Sequence, residues 1–308
     1  MSTLHTTSGR WRLGLGLALA TVGFWATLPL ALKISLEQID AWTLTWIRFL
    51  VAALVIGGWI AGGGRWRAFT QINKSVWALL AVASLGLIGN YLCYLMGLAR
   101  ITPGNAQLLI QSAPLLLAIG GVVIFKEKLL RTQALGFVVI IIGLLLFFFE
   151  QRGRAADVET YGLGALLIGM GALLWAIYAL AQKQLLRSFK PQQVMGFIYI
   201  VAAVVLLPTA TPSALLQIDS WHWLAIAYCS FNTLGAYGCF AEALNHWEAS
   251  RVSAILALTP LSTLAFGASL ALAFPGQVPE EHIGWLGAFG AALVVGGSIT
   301  ASLAAKRG

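Results

Sequence analysis

Amide side chains recur at helical spacing inside long apolar stretches of this 308-residue chain. Gln107, Gln111 and Pro114 stand at i, i+4 and i+7, so they share one face of a helix. Asn90 and Tyr94 are also four residues apart in an apolar stretch. Amide groups beside aromatic walls suit a binding site for a neutral or zwitterionic molecule that has a planar apolar part.

The second half of the chain offers comparable side chains. Asn232 and Tyr237 lie in one apolar stretch, and Ser253 stands seven residues before a proline in the next. Trp175 lies in a further stretch, with Tyr178 three residues later. The predicted substrate-binding set is Trp25, Asn90, Tyr91, Tyr94, Gln107, Gln111, Trp175, Tyr178, Asn232, Tyr237 and Ser253.

These polar residues have a second possible use, because amides and tyrosines in a membrane also form hydrogen bonds between helices. Such bonds stabilise helix packing by about 0.6 kcal/mol each. For any single residue both interpretations stay open. The set as a whole favours a cavity, since both halves of the chain place such residues on corresponding segments.

Three further residues could control access to such a cavity. Pro114 and Pro260 lie inside apolar stretches, where a proline removes a backbone hydrogen bond and bends the helix. We therefore predict them as hinge or gating positions. Arg48 is a cation in an apolar segment, which costs about 3 kcal/mol at mid-membrane. It could bind a carboxylate or gate the cavity, or it could be a structural arginine that reaches outward or pairs with backbone carbonyls.

The composition places these residues in a membrane. Hydrophobic residues make up 59% of the chain and charged residues 10%, whereas charged residues reach about 25% in soluble domains. Runs of about 20 apolar residues can span the hydrocarbon core as helices, which satisfy their own backbone in lipid. We predict an all-α integral membrane protein with ten transmembrane helices, near residues 13–32, 41–61, 76–98, 104–125, 132–149, 162–182, 192–208, 222–244, 252–274 and 283–304.

The chain also repeats itself. At a shift of 150 residues Trp25 recurs as Trp175, and at a shift of 146 residues Pro114 recurs as Pro260. If each copy crosses the bilayer five times, which is an odd number, the second copy must enter the membrane upside down. The sequence thus predicts two inverted five-helix repeats, residues 1–150 and 151–308.

Lysine and arginine are distributed unevenly among the predicted loops. Of the 19 residues, 14 lie in the tails and even-numbered connections, four in odd-numbered connections, and Arg48 in a span. Cytoplasmic loops are enriched in these residues, so both termini are predicted in the cytoplasm of a bacterial inner-membrane protein. The formal charge of +8 is divided among short loops and does not indicate nucleic-acid binding.

One segment resembles a known family. The run Gly121-Val-Val-Ile-Phe-Lys-Glu-Lys-Leu, with Leu135-Gly136 and Ile142-Gly143 after it, is similar to the fourth and fifth helices of an EamA repeat of the drug/metabolite transporter superfamily. Pro114 stands where that repeat has a mid-helix proline, and Arg48 where it has an arginine in the second helix. The resemblance covers nearly the whole chain, twice.

The resemblance implies two interlocked halves, a central cavity open to one side at a time, and transport without ATP hydrolysis. Within the superfamily the chain is most similar in length and texture to the bacterial aromatic amino-acid exporters. The resemblance thus implies a secondary transporter that exports small organic solutes, aromatic or neutral amino acids above all. We expect it to work as a monomer surrounded by membrane lipid. In the second copy Ala273 stands at the position of Glu127, which makes a paired function for Glu127 doubtful.

Other functions remain as alternatives. A multidrug exporter of lipophilic cations belongs to the same superfamily, and inverted repeats also build channels. An intramembrane enzyme is disfavoured, because the four histidines lie in the tails or near span ends and no aspartate lies mid-span. The same distribution predicts no metal site, and no cofactor or nucleic-acid partner is expected.

Overall fold

The computed structural model describes residues 9–62, 69, 72–125, 129–247, 252, 255–274 and 282–304, and all regular structure within these ranges is helical. A π-helical turn, Ala53–Gly57, joins the second helix to the third, and a 3-10 turn, Pro212–Gln217, precedes the tenth. The helices are α1 Trp11–Ser35, α2 Ala41–Ala52, α3 Gly58–Gly62, α4 Lys74–Leu98, α5 Pro103–Leu109, α6 Ser112–Phe125, α7 Arg131–Arg154, α8 Val158–Leu185, α9 Pro191–Leu206, α10 Ser220–His246, α11 Thr259–Ala273 and α12 Trp285–Ala304.

Several helices are long and apolar enough to cross a membrane. Within the described ranges six segments meet this condition, while α9, α11 and α12 are apolar but shorter. Helix α10 has 27 residues, and amide, hydroxyl and histidine side chains are spread along its length. The six segments are Trp11–Ser35, Ala41–Ile60, Lys74–Leu98, Pro103–Ile124, Arg131–Arg154 and Val158–Leu185. The all-α class is therefore confirmed, and the number of ten spans stays a prediction.

Three helices begin at an aspartate. Asp40, Asp157 and Asp219 precede α2, α8 and α10, and each carboxylate accepts hydrogen bonds from two backbone N–H groups of the first turn. An N-terminal turn has no intrahelical partners for these groups, so a capping carboxylate satisfies them and defines where the helix starts. The predicted spans near residues 41, 162 and 222 therefore start within a few residues of their expected positions.

Glycines bring α7 and α12 into backbone contact. A Cβ built on Gly136 would lie 2.7 Å from the carbonyl oxygen of Gly297, and one built on Gly143 would lie 2.6 Å from that of Gly290. The residue numbers rise along one helix as they fall along the other, so the two helices run antiparallel. Small residues at the contact allow two membrane helices to approach this closely. The opposite face of α7 is apolar and exposed.

Two other long pairs are also antiparallel. Along α4 and α8, Gly86 approaches Tyr178 and Gly97 approaches Gly164. Along α1 and α10, Gly14 approaches Trp247, while the Asn232 amide donates to the carbonyl oxygen of Phe24 at 2.7 Å. Helices α2 and α9 pack together as well, and the indole of Trp46 donates to the carbonyl oxygen of Ala203 at 3.1 Å. Each of these pairs joins a helix before residue 155 to one after it.

Candidate functional site

A cavity of about 690 Å³ lies where the paired helices meet. Both halves of the chain contribute to its lining, and the lining residues run from Trp25 on α1 to Ala301 on α12. The predicted residues that line it are Trp25, Arg48, Asn90, Tyr91, Tyr94, Gln107, Gln111, Pro114, Trp175 and Asn232. The structure thus brings together residues from seven helices and Gln111, which lies between α5 and α6. That these residues contact a solute stays a prediction.

The two asparagines of the cavity also join helices. The Asn90 amide in α4 donates to the carbonyl oxygen of Gly171 in α8 at 2.9 Å. The Asn232 amide in α10 donates to the carbonyl oxygen of Phe24 in α1. The two uses considered for these residues therefore occur together, because one end of each amide holds a neighbouring helix while the residue lines the cavity.

The glutamines differ from each other. Gln107 is buried, and its amide oxygen lies 3.4 Å from the Tyr94 hydroxyl, a long hydrogen bond between α5 and α4. Gln111 lies half-buried at the break between α5 and α6, and its side chain makes no hydrogen bond within the described part of the chain. Gln111 therefore has the amide that is most available to a solute in this part of the cavity.

Arg48 is buried, with 3% of its surface exposed. Its Nε and Nη2 atoms donate to the Thr233 hydroxyl at 3.3 and 3.1 Å, and its guanidinium carbon lies 4.7 Å from the centroid of the Tyr91 ring. A cation over an aromatic face is attracted by the ring quadrupole. The expectation that this side chain reaches outward or pairs with backbone carbonyls is wrong, because Thr233 and Tyr91 hold it against the cavity.

Aromatic rings form much of the apolar wall. Trp25 and Phe240 lie with ring centroids 5.7 Å apart, which joins α1 to α10. Tyr91 packs on Phe49 at 4.6 Å. Trp175 lines the cavity from α8 and is half-buried. Rings arranged around a space of this size leave room for a planar apolar group between them.

Three predicted binding residues are not placed in the lining. Tyr178 is 4% exposed, packs in the core against α4 and α9, and its hydroxyl lies 3.1 Å from the sulfur of Met195. Three residues along a helix turn a side chain through about 300°, which leaves Tyr178 and Trp175 about 60° apart, so the neighbouring helices place Tyr178 in the core while Trp175 lines the cavity. The Tyr237 side chain and Ser253 lie outside the described part of the structure.

The helix that contains Pro114 is interrupted. Helix α5 ends at Leu109 and α6 starts at Ser112. Proline has no N–H to donate to the carbonyl four residues earlier. The carbonyl oxygen of Ile110 instead accepts from the backbone N–H of Ala113 at 2.9 Å, so the chain tightens locally.

The chain is interrupted at the equivalent point before Pro260. Residues 257 and 258 form a turn, and α11 starts at Thr259. Here the carbonyl oxygen of Leu256, four residues before the proline, accepts from the Thr259 hydroxyl at 2.6 Å. Both predicted hinge positions therefore lie directly beside a break in a helix that borders the cavity.

Several lining residues were not anticipated. Thr233, Phe240, Gln133 and Ser298 all contribute to the cavity. Thr233 follows a predicted residue, yet its role depends on Arg48 reaching it from another helix. Pro29, inside α1, also lines the cavity and carried the same signal as the other mid-helix prolines.

The cavity reaches one end of the molecule and stops short of the other. Gln133 lies in the first turn of α7, and Ala301 lies near the end of α12, so the lining extends to these helix ends. Towards the opposite end, a core that includes Leu44, Leu95 and Leu98 fills the space between the helices. The lining of the cavity therefore extends towards the side on which Arg131 begins α7.

The chain is similar to known transporters over nearly its whole length. The model of the EamA-like transporter family matches residues 12–149 and again residues 162–303. The "Uncharacterized inner membrane transporter YhbE" of Escherichia coli (strain K12) is 34% identical over 293 residues, which cover 94% of this chain and 91% of that protein. A "Probable amino-acid metabolite efflux pump" of Salmonella typhimurium is 25% identical over 266 residues, covering 82% and 85%.

A solved crystal structure, among others, is similar in fold. It superposes with a TM-score of 0.62 at 21% sequence identity, and the alignment covers 96% of this chain and 98% of that one. At this identity the likeness concerns the arrangement of the helices.

Proposed function

Because the chain belongs to the EamA-like transporter family, we propose that this multi-pass membrane transporter exports small organic solutes, aromatic or neutral amino acids above all, from bacteria by alternating access. The observation that carries this proposal is the cavity of about 690 Å³, which both halves of the chain line with amides and aromatic rings. Its volume falls in the range of about 300 to 1,000 Å³ that holds small ligands. The solute would rest between these side chains near mid-membrane.

Alternating access needs two halves that can rock about the solute. We propose that residues 1–150 and 151–308 are inverted five-helix repeats that together form ten spans. Helices α7 and α12 are the last helices of the two halves, and their antiparallel contact supports this. The helix breaks beside Pro114 and Pro260 support it too, because they lie at equivalent positions and border the cavity. The transporter would act as a monomer surrounded by lipid.

The charge distribution supports an orientation in the membrane. Cytoplasmic enrichment of Lys and Arg would place both termini, the start of α7 and the end of α12 inside the cell. The cavity would then open to the cytoplasm, where an exporter collects its solute.

The opposite end is held closed by polar contacts as well as by the apolar core. The Tyr161 hydroxyl donates to Asn105 at 3.1 Å, and the Asn105 amide lies 3.2 Å from the Gln151 carbonyl. These contacts tie the outer ends of α5, α7 and α8 together. They would have to break for release.

The lining favours amino acids over lipophilic cations. Arg48 places a permanent positive charge against the cavity, and a cationic drug would be repelled by it. Aromatic walls suit an apolar side chain, while the amides suit polar groups. The name of the Salmonella typhimurium relative also mentions amino-acid metabolites. Since no mid-span acid is apparent in the sequence, exchange or uniport without proton coupling is the simplest driving mode.

Counterflow in liposomes tests the proposal. Purified protein is reconstituted, and labelled amino acids or a labelled lipophilic cation are offered against an excess of unlabelled solute, with and without a pH gradient. We expect saturable amino-acid counterflow that does not require the gradient. Conductance without saturation would indicate a channel, and counterflow of the cation alone would indicate a multidrug exporter.

Two substitutions connect the activity to the cavity. Trp175→Ala and Gln111→Ala should lower amino-acid counterflow without changing membrane insertion. Trp285→Ala is a matched control, because that tryptophan is 80% exposed on α12. Wild-type rates in both cavity variants would remove this cavity from the transport route.

A further inference from the structure

The guanidinium of Arg48 has unused capacity at the cavity. Two of its nitrogen atoms, Nε and Nη2, donate to the hydroxyl of Thr233. A guanidinium has five N–H donors, and Arg48 makes no ion pair with any carboxylate of the described residues. An uncompensated buried charge is costly, so the site favours an anion that arrives from outside. Because the guanidinium is planar, it matches a carboxylate in particular.

Asn232 presents the complementary group. Its Nδ2 donates to the carbonyl oxygen of Phe24, and the Tyr228 hydroxyl lies 3.3 Å from the same nitrogen. Since a carbonyl can only accept, these contacts fix which end of the amide is the donor. The other end, Oδ1, is buried and has no hydrogen-bond partner in the described part of the chain. A buried acceptor without a donor costs about 1 to 3 kcal/mol.

The two unused groups are on residues that meet at the cavity. Thr233, which holds Arg48, follows Asn232 directly on α10, and all three residues line the same cavity. One group calls for an anion and the other for a hydrogen-bond donor. The aromatic rings of Trp25 and Phe240 stand against the same space and would contact an apolar group.

We propose that Arg48 and Asn232 together recognise the backbone of an α-amino acid zwitterion. Arg48 binds the carboxylate, the Oδ1 atom of Asn232 accepts from the ammonium group, and the side chain of the amino acid lies against Trp25 and Phe240. This rests on the proposed export function and adds which atoms of the solute are read. It predicts a carrier that requires both charges of the zwitterion and tolerates different apolar side chains.

A competition experiment tests the contact of Arg48 and the contact of Asn232 separately. Counterflow of labelled phenylalanine, leucine and threonine in liposomes first identifies the fastest of the three. Competition then compares that amino acid with its amide, which lacks the carboxylate, and with its N-acetyl derivative, which lacks the ammonium group. We expect each derivative to compete at least about tenfold more weakly in the wild type, since hydrogen bonds to charged groups have about this strength.

The variants should lose one preference each. Arg48→Gln should abolish the preference over the amide and keep the preference over the N-acetyl derivative, whereas Arg48→Lys should keep part of the preference over the amide and all of the preference over the N-acetyl derivative. Asn232→Leu should show the opposite pattern. These ratios are measured within one preparation, so partial misfolding cannot produce a crossed pattern. Arg100→Gln is the matched control, because Arg100 is exposed in the turn after α4 and its side chain donates to the carbonyl oxygen of Met96 near the end of that helix.

Failure of this inference differs from failure of the export function. Saturable amino-acid counterflow with unchanged ratios in Arg48→Gln and Asn232→Leu would overturn the zwitterion site and leave the carrier intact. Counterflow of other solutes without any of the three amino acids would also overturn it. Absence of all saturable counterflow would overturn the export function itself.

Discussion

Gly143 of α7 and Gly290 of α12 contact each other through their backbones. A Cβ on Gly143 would lie 2.6 Å from the Gly290 carbonyl oxygen, and a Cβ on Gly290 would lie 2.7 Å from the Gly143 carbonyl oxygen. Backbone atoms cannot move aside by changing a rotamer. The contact therefore requires glycine on both sides, and it fixes how closely the last helices of the two halves pack.

Gly143→Ala should separate these helices and lower stability. We expect a loss of about 1 to 3 kcal/mol, the usual cost of added volume in a well-packed contact, measured as a lower unfolding temperature in detergent. Gly169→Ala is the matched control, because a Cβ there meets nothing within 4 Å. An unfolding temperature of Gly143→Ala equal to that of the control would contradict the backbone contact.

The sequence predicts the positions of the helices better than it predicts where individual side chains point. Length and hydropathy were enough to predict most of the helices. Helical spacing alone assigned Trp175 and Tyr178 to one face, yet neighbouring helices divide that face between cavity and core. The environment of Arg48 could not be predicted, because Thr233 lies 185 residues away in the chain.

Lys33 closes the C-terminal end of α4. Its ammonium group donates to the carbonyl oxygens of Leu98, Ala99 and Ile101 at 2.7, 3.0 and 3.0 Å. These carbonyls include ones left without partners at the helix end, and the positive charge also suits the helix dipole.

Lys33→Met should therefore destabilise the protein by about 1 kcal/mol or more, whereas Lys33→Arg should retain part of the effect. The measurement is thermal unfolding in detergent. Arg187→Met, at an exposed cation in another loop, controls for the loss of charge. Equal unfolding temperatures for Lys33→Met and the wild type would show that the three hydrogen bonds contribute nothing.

Asp219 makes the start of α10 sensitive to acid. The backbone N–H of His222, and then the His222 ring and Gln38, lower the pKa of Asp219 from its ordinary value of 3.8 to about 2. A carboxyl group with a lowered pKa stabilises the fold fully above its unfolded pKa, and this contribution is lost as the pH falls through the folded pKa. The loss should occur between about pH 4 and pH 2.

Asp219→Asn retains a capping oxygen but cannot titrate. Its unfolding temperature should therefore fall less than that of the wild type between pH 4 and pH 2, and the two curves should differ by a constant amount above pH 5. Glu159→Gln, at an exposed carboxyl group in the first turn of α8, is the control. Parallel curves down to pH 2 would remove Asp219 from the acid response.

Pro114→Ala tests whether the helix break serves transport. Alanine supplies the N–H that proline lacks, so the carbonyl oxygen of Ile110 could accept its normal hydrogen bond and α5 could continue into α6. If the break is a hinge for alternating access, the variant should be at least as stable as the wild type while its counterflow rate falls severalfold. Pro191→Ala is the matched control, because Pro191 occupies the first turn of α9, where no hydrogen bond is lost. A wild-type rate in Pro114→Ala, together with unchanged stability, would mean that the break only accommodates the proline and that the halves move about other points.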